Sequence, residues 1–181
     1  RARRDRWAGA GNQRAVAANG SGAFKGQMGP VEARRSNGNG ERGTFSVAVD
    51  EGPRPGTTVE VLGNLRPAFS TTGTVTAGNS SQMSDGAAAV MLMSGERAGR
   101  EGLEPMARFM TFAVMGCDPD EMGIGPALAI PKVLEKAGLA IDDIDLLEVN
   151  EAFASQFVYS VKQAGIDEDK VNVNGGAISL G

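Results

Sequence analysis

Three polar loops, at the ends of predicted strands or at strand–helix junctions, hold the residues best placed to do chemistry. The first is TVTAGNSSQMSDGAAAV at 74–90, with Ser81; the second is EVNEAFASQ at 148–156, with Asn150; the third is NGGAISLG at 174–181. In open α/β sheets, ligands collect at the carboxyl ends of strands, and glycine lets the backbone approach a ligand closely. We therefore expect the three loops to face one pocket.

Each of these polar residues also has a purely structural interpretation. Ser80 and Ser81 are common turn or capping residues, and Asn150 is a typical N-cap that satisfies free helix N–H groups. Glu151 adds a negative charge that suits the start of a helix. The residue types alone leave both interpretations open.

Histidine and cysteine usage limits the chemistry that the chain can do. The 181 residues include no histidine and one cysteine, Cys117. A single thiol with no imidazole to activate it is better interpreted as a passive loop thiol than as a nucleophile. The same counts argue against a zinc or haem site and against a disulfide framework.

Composition indicates a globular domain with a core of ordinary size. Hydrophobic residues make up 41% of the chain, and the net charge of −4 does not favour a nucleic-acid partner. No apolar run approaches the roughly 18 residues that a membrane-spanning helix needs. The first residue is Arg1 and not a Met, and an Ala-rich stretch follows it. We interpret this stretch as a helix whose beginning lies before Arg1, rather than as a transit peptide. The chain is therefore expected to be cut at both ends.

Hydrophobic periodicity predicts an irregular, Gly-rich region to about residue 70, followed by alternating strands and helices. SNGNGERG at 36–43 is predicted to be a mobile loop. Most of the methionines from Met83 onwards are interpreted as core filling. Helices are predicted at 5–19, 59–65, 94–102, 126–138 and 152–164, and strands at 28–33, 44–49, 86–93, 106–115, 144–149 and 171–174. This alternation predicts an α/β layer with a partly parallel sheet.

Taken together, the motifs resemble the thiolase family, specifically the degradative 3-ketoacyl-CoA thiolases of fatty-acid β-oxidation and, among these, the peroxisomal type. NEAFA followed by VNVNGGA carries the most specific part of the resemblance. The matching stretches are RPGTT at 54–58, LRPAF at 65–69, TGTVTAGNSSQMSDGAAAV at 72–90, GCDPDEMGIGPALAIPKVLEKAGL at 116–139, IDLLEVNEAFASQFVY at 144–159 and KVNVNGGAISLG at 170–181.

The resemblance implies a thiolase fold, which is a mixed sheet with helices on both faces. Residues 1–70 would be the loop region and the end of the N-terminal half, and residues 71–181 part of the C-terminal half. A catalytic His would come directly after Gly181, and the two catalytic Cys residues would lie outside this chain. The 181 residues alone are therefore expected to be inactive in thiolysis.

The resemblance also implies roles for seven residues. Asn150 would hold the water that donates into an oxyanion site, Ser81 would bond the pantetheine arm of coenzyme A, and Arg54 would meet its nucleotide end. Phe69, Ala77 and Phe153 would line the pantetheine tunnel, and Met122 would border the acyl pocket.

The implied reaction is cleavage of a 3-ketoacyl-CoA by a second CoA, giving acetyl-CoA and a shortened acyl-CoA. Coenzyme A would be a substrate, and no cofactor or metal would be needed. The implied assembly is a homodimer or tetramer, and the implied compartment is the peroxisome, with mitochondrion and cytoplasm as alternatives. A second hypothesis is a non-catalytic, thiolase-like module that binds CoA or lipid.

Overall fold

A long N-terminal helix organises the fold, and the rest of the chain packs around it. The structure, a computed structural model, describes residues 1–36 and 42–181. The α-helices are α1 (Ala2–Ser21), α2 (Val59–Gly63), α3 (Gly95–Glu101), α4 (Gly125–Ala137), α5 (Ala154–Gln163) and α6 (Ala177–Leu180). The strands are β1 (Val31–Ser36) and β2 (Arg42–Val47), and 3₁₀ turns occur at Ala77–Asn79, Pro119–Ile124, Ile141–Asp143 and Glu168–Lys170.

Helix α1 confirms and extends the helix predicted at 5–19. Trp7, Ala8, Ala15 and Ala18 recur near the helical period and form its buried face. The helix ends at Gly22, whose left-handed backbone lets its N–H bond the last carbonyls of the helix.

The other predicted helices are also present. α2, α3, α4 and α5 lie within one or two residues of their predicted bounds. The Ser94 hydroxyl caps α3 by accepting a hydrogen bond from the Arg97 N–H, and Gly102 and Gly138 end α3 and α4 in the left-handed conformation.

The two ordered strands form an antiparallel hairpin, in which Val31 pairs with Val47 and Ala33 with Phe45. They overlap the extended stretches predicted at 28–33 and 44–49. The core of the predicted mobile loop, residues 37–41, lies outside the described residues.

The four strands predicted after residue 73 are wrong as strands. Within the described parts of the chain, the stretches 86–93, 106–115, 144–149 and 171–174 form no sheet ladder. One parallel bridge joins Leu147 to Val171, and the Asn172 N–H donates to the Leu147 carbonyl at 3.0 Å. A strand exists only through hydrogen bonds to a neighbour, and here most of these stretches have no neighbour to pair with.

The interpretation of the methionines as core filling is also wrong for most of them. Met83, Met91, Met106, Met110 and Met122 are exposed, as are the apolar side chains around them in 86–93 and 106–115. The core lies elsewhere, where α1, α2, α5 and α6 meet. Its buried members are Trp7, Ala8, Leu62, Val149, Ala154, Phe157, Val161, Ile166, Val171 and Ile178.

Stacking between α1 and α5 anchors this core. The rings of Trp7 and Phe157 lie 4.2 Å apart between centroids, with 21° between their planes, and Phe157 is fully buried. Such aromatic pairs add to stability beyond the apolar area that they bury. In the described residues, no helix has the length and apolar character needed to cross a membrane.

Candidate functional site

The three polar loops meet, as the sequence predicts. The Ser81 N–H donates to the Ala152 carbonyl at 2.9 Å, which joins the first loop to the second. The Gln82 side-chain amide donates to the Ser179 carbonyl at 2.6 Å, which joins the first loop to the third. The loops therefore form one wall beside α1.

A cavity of about 630 Å³ opens between this wall, α1, α2 and the loop at 52–57. Arg54, Ala77 and Ser81, three of the residues predicted to bind a ligand, lie on it. The lining consists of Asn12, Gly52, Arg54, Gly56, Thr57, Val61, Leu62, Leu65, Ala77, Gly78, Ser80, Ser81, Gln82 and Ile178. The mixture of an apolar floor with a few polar groups is typical of small-molecule sites.

Helix α1 holds the loop that carries Arg54. The buried Asn12 side chain accepts a hydrogen bond from the Arg54 N–H at 3.1 Å. Gln13 donates to the carbonyls of Pro55 and Thr57 at 3.0 and 3.3 Å. The Arg54 backbone is thus fixed, while the residue itself is exposed at the cavity.

Buried polar contacts position Ala77 and Ser81. Asn79 accepts a hydrogen bond from the Thr76 N–H at 2.9 Å and donates to the Asp5 carboxylate at 2.8 Å. These bonds tie the 3₁₀ turn at Ala77–Asn79 to α1 and leave Ala77 exposed on the cavity side of the turn. Ser81 is half-buried at the end of the same segment.

Phe69 and Phe153 lie together next to the cavity but do not line it. Their rings meet edge to face, with centroids 6.1 Å apart and 74° between the planes. The backbone of Phe153 bridges to Ser80, which does line the cavity. Phe69 remains 79% exposed.

Met122 lies apart from the cavity lining. It is 71% exposed in the 3₁₀ turn at Pro119–Ile124. Gly123 of this turn packs against Gln156 near the start of α5. Cys117, close by, is an exposed thiol, in keeping with its interpretation as a loop residue.

Asn150 is not a helix N-cap, so its structural interpretation is wrong. The N-cap of α5 is Phe153, three residues further along. Asn150 is exposed, and its carbonyl accepts a hydrogen bond from the Gln156 amide at 3.4 Å. Its side chain is therefore not occupied in capping the helix.

Glu151 is the residue whose place the sequence does not reveal. It is completely buried, although its type suggested an exposed charge at a helix start. Its Oε1 accepts hydrogen bonds from Trp7 Nε1 at 2.6 Å and Asn172 Nδ2 at 2.7 Å, and its Oε2 accepts from the Ile178 N–H at 3.3 Å. No local signal marks it, because the side chains that bond its carboxylate lie 144 and 21 residues away in the sequence.

Glu148 lies three residues before this buried acid and responds to it. Partial desolvation raises the pKa of the Glu148 carboxyl, and the negative charge of Glu151 raises this pKa further.

Family models match most of the chain. Residues 1–96 match the family described as thiolase, N-terminal domain, and residues 103–181 match thiolase, C-terminal domain. The chain belongs to the thiolase family. These two matches do not decide where the domains separate structurally, so the boundary near residue 70 stays a prediction.

Named thiolases resemble the whole chain in sequence. The 3-ketoacyl-CoA thiolase of Bacillus subtilis is 54% identical over 175 residues, covering 94% of this chain and 44% of that protein. The peroxisomal 3-ketoacyl-CoA thiolase B of Rattus norvegicus is 50% identical over 181 residues, covering 100% of this chain and 43% of that protein. The chain thus spans less than half the length of these thiolases.

Solved thiolases share its fold. Human mitochondrial 3-ketoacyl-CoA thiolase superposes with a TM-score of 0.91 at 45% identity, covering 99% of this chain and 44% of that chain. The dimeric peroxisomal thiolase of Saccharomyces cerevisiae gives 0.90 at 44% identity, covering 98% and 44%. The predicted α/β thiolase fold is therefore confirmed, although within the described residues the stretches predicted as strands after residue 73 form no sheet ladder.

Proposed function

We propose that this protein is an acyltransferase that cleaves a 3-ketoacyl-CoA with a second CoA, giving acetyl-CoA and a shortened acyl-CoA. The observation that carries the proposal is the cavity on which Arg54, Ala77 and Ser81 lie together. Relatives at about half identity are named 3-ketoacyl-CoA thiolases, which supports the same activity. Coenzyme A is then a substrate, and the proposal includes no metal or prosthetic group.

The lining of the cavity suits the parts of coenzyme A. An exposed guanidinium at Arg54 binds phosphate oxygens or stacks on adenine. Leu62, Leu65 and Ile178 offer apolar surface to the pantetheine arm, and the Ser81 hydroxyl offers a hydrogen bond to one of its amides. Phe69 and Phe153 extend this apolar surface beside the cavity, and Met122 is proposed to border the acyl chain.

Asn150 is proposed as the catalytic residue of this chain. Its side-chain amide would hold a water that donates a hydrogen bond to the oxyanion formed at the reacting carbonyl. Donors that are already in place where charge develops are usually the largest single contribution to such catalysis. The exposed position of Asn150 leaves its amide accessible to substrate and water.

The relatives support one proposal about assembly and one about compartment. Because the yeast thiolase is described as dimeric, we propose a homodimer or tetramer for this protein. Because several relatives are named peroxisomal, we propose the peroxisome as its compartment, although the Bacillus relative is bacterial.

A second candidate is a thiolase-like module that binds CoA or lipid without catalysis. The chain favours it in one respect, because it has the cavity but no histidine and a single cysteine, Cys117. The two candidates differ in turnover. If the protein is an acyltransferase, we expect the protein isolated from its source to cleave acetoacetyl-CoA and the 181-residue chain not to do so. If it is a binding module, we expect both to bind CoA and neither to cleave acetoacetyl-CoA.

Calorimetric titration of CoA tests the binding site that both candidates share. We expect Arg54→Ala to weaken CoA binding about tenfold or more, because one charge-assisted contact is worth about 1.5–3 kcal/mol. Arg108→Ala is the matched control, because Arg108 is exposed and far along the chain from the cavity lining. Equal CoA affinity in the Arg54 and Arg108 variants would contradict the assignment of the cavity.

A further inference from the structure

Glu151 is a fully buried acid that has no cationic partner among the described residues. Among the described residues, the ion pairs involve other carboxylates. A charged group taken out of water is costly unless hydrogen bonds replace the lost hydration. The three hydrogen bonds that Glu151 accepts therefore compensate for its burial.

The contacts of Glu151 come from three separate parts of the fold. Trp7 belongs to α1, Asn172 to the turn before α6, and the Ile178 N–H to the first turn of α6. All three groups donate, which matches a carboxylate that only accepts. Glu151 therefore fastens its own loop to three elements at once.

Glycine at position 176 makes one of these contacts possible. A Cβ atom on Gly176 would lie 2.5 Å from Glu151 Oε2 and 2.6 Å from Asn172 Nδ2. The backbone before α6 thus presses directly against the carboxylate and the amide, and no larger residue fits there.

Asn172 holds the backbone on the other side of Asn150. Its Oδ1 accepts a hydrogen bond from the Val149 N–H, and its Nδ2 donates to the Val149 carbonyl, both at 2.8 Å. Asn172 is itself buried, with a positive φ of 48° that is uncommon outside glycine. The Asn172 side-chain amide thus makes the two backbone hydrogen bonds to Val149 that a neighbouring strand would make in a sheet.

Asn150 is therefore flanked by two anchored residues. Val149 is held through its backbone by Asn172, and Glu151 is held through its side chain by Asn172, Trp7 and α6. We propose that Glu151 and Asn172 form a positioning pair that orients Asn150 for catalysis, an inference that rests on the proposed function of Asn150. Asn150 is exposed and its direction is set by its backbone, which these two residues control.

The kinetic test uses Glu151→Gln in the protein isolated as the active enzyme. A glutamine can keep the bonds from Trp7 and Asn172, but its NH₂ group then faces the Ile178 N–H. We expect kcat for acetoacetyl-CoA thiolysis to fall about tenfold to a hundredfold, the scale of a misplacement near 1 Å. The KM for CoA is expected to stay within about twofold, because Glu151 does not line the cavity. A smaller folded fraction would also lower the apparent kcat at unchanged KM, so kcat is calculated per folded enzyme, with the folded fraction measured by circular dichroism.

Glu148→Gln is the matched control, since it removes a carboxylate from the same segment and, among the described residues, no side-chain hydrogen bond joins Glu148 to Glu151 or Asn172. It is expected to leave kcat unchanged. Trp7→Phe is a milder second variant, which keeps the carboxylate but removes one donor, and its kcat is expected to fall less than that of Glu151→Gln. An unchanged kcat in Glu151→Gln, or an equal fall in Glu148→Gln, would overturn the proposal.

A second readout does not depend on activity. In protein labelled with ¹⁵N-asparagine, the Asn150 side-chain amide signal is expected to shift or broaden in Glu151→Gln, while the signal of the exposed Asn64 stays in place. An unmoved Asn150 signal would overturn the positioning role. If the unmodified enzyme does not cleave acetoacetyl-CoA, the proposed function fails, and this readout still decides whether the pair orients Asn150.

Discussion

Trp7 shows how one side chain contributes both apolar packing and polar contact. Its ring stacks on Phe157, its Nε1–H bonds the buried Glu151 carboxylate, and the Arg14 guanidinium lies 5.2 Å from the ring centroid on its face. The sequence predicted the helix over 5–19 that carries Trp7. The acid that it bonds lies 144 residues further along the chain, and no local pattern indicates such a partner.

Replacing Trp7 by Phe removes its polar contact together with part of the buried indole ring. Trp7→Phe keeps an aromatic ring on Phe157 but leaves the Glu151 carboxylate with one donor fewer. We expect the free energy of unfolding to fall by about 1–3 kcal/mol, as measured by denaturant titration. Tyr159→Phe, at an exposed residue, is the control and should change it by less than about 0.5 kcal/mol. A similar small change in Trp7→Phe would contradict the importance of this bond.

Glu148 gives a prediction about pH. Because its pKa is raised in the folded state, its stabilising contribution is present at low pH and is lost as pH rises through that pKa. Glu148→Gln should therefore raise the melting temperature at pH 7, and the gain should vanish below pH ~4, where the carboxyl is protonated in both states. Glu104→Gln, at an exposed residue, controls for net charge. A gain that persists at low pH would contradict the shift and its cause.

At the scale of elements, the helices were predictable, whereas four of the six predicted strands were wrong. The cap residues Ser94, Gly102 and Gly138 mark helix ends through bonds made within a few residues, so local sequence is sufficient. A strand needs a partner distant in sequence, and the apolar runs at 86–93 and 106–115 carry no information on whether one is present. The runs were identified as apolar, but their exposed side chains were not foreseen.

Alanine substitutions at two glycines distinguish the cost of backbone strain from the cost of a clash between two elements. Both Gly165 and Gly175 have positive φ, but only Gly175 lies against α1, where an added Cβ would be 2.6 Å from the Ala15 Cβ. Gly165→Ala should cost about 1–2 kcal/mol for the left-handed backbone alone. Gly175→Ala should cost about 1–3 kcal/mol more, because Ala15 must also move. Equal losses in thermal unfolding would show that the contact between α1 and this turn is unimportant.

Over the whole molecule, long-range contacts bring together residues that are far apart in the sequence. Arg54, Ser81 and Ile178 line one cavity although Ile178 lies about a hundred residues after the other two. Helix α1 contacts the regions that carry all three. The resemblance of the motifs to thiolases predicted the placement of Arg54, Ala77 and Ser81 around a common site. It did not predict that Phe69, Phe153 and Met122 would lie outside the cavity lining, because the exposure of these side chains depends on which segments cover them.

Removing the Asn150 side-chain amide is the most direct test of the proposed catalytic role of this residue. We would measure thiolysis of acetoacetyl-CoA by the protein isolated as the active enzyme, comparing Asn150→Ala with Asn64→Ala, a change at an exposed asparagine outside the site. Loss of an oxyanion donor predicts a fall in kcat of about a hundredfold to a thousandfold for Asn150→Ala and little change for Asn64→Ala. Equal rates in the two variants, or no thiolysis by the unmodified enzyme, would contradict the proposed function.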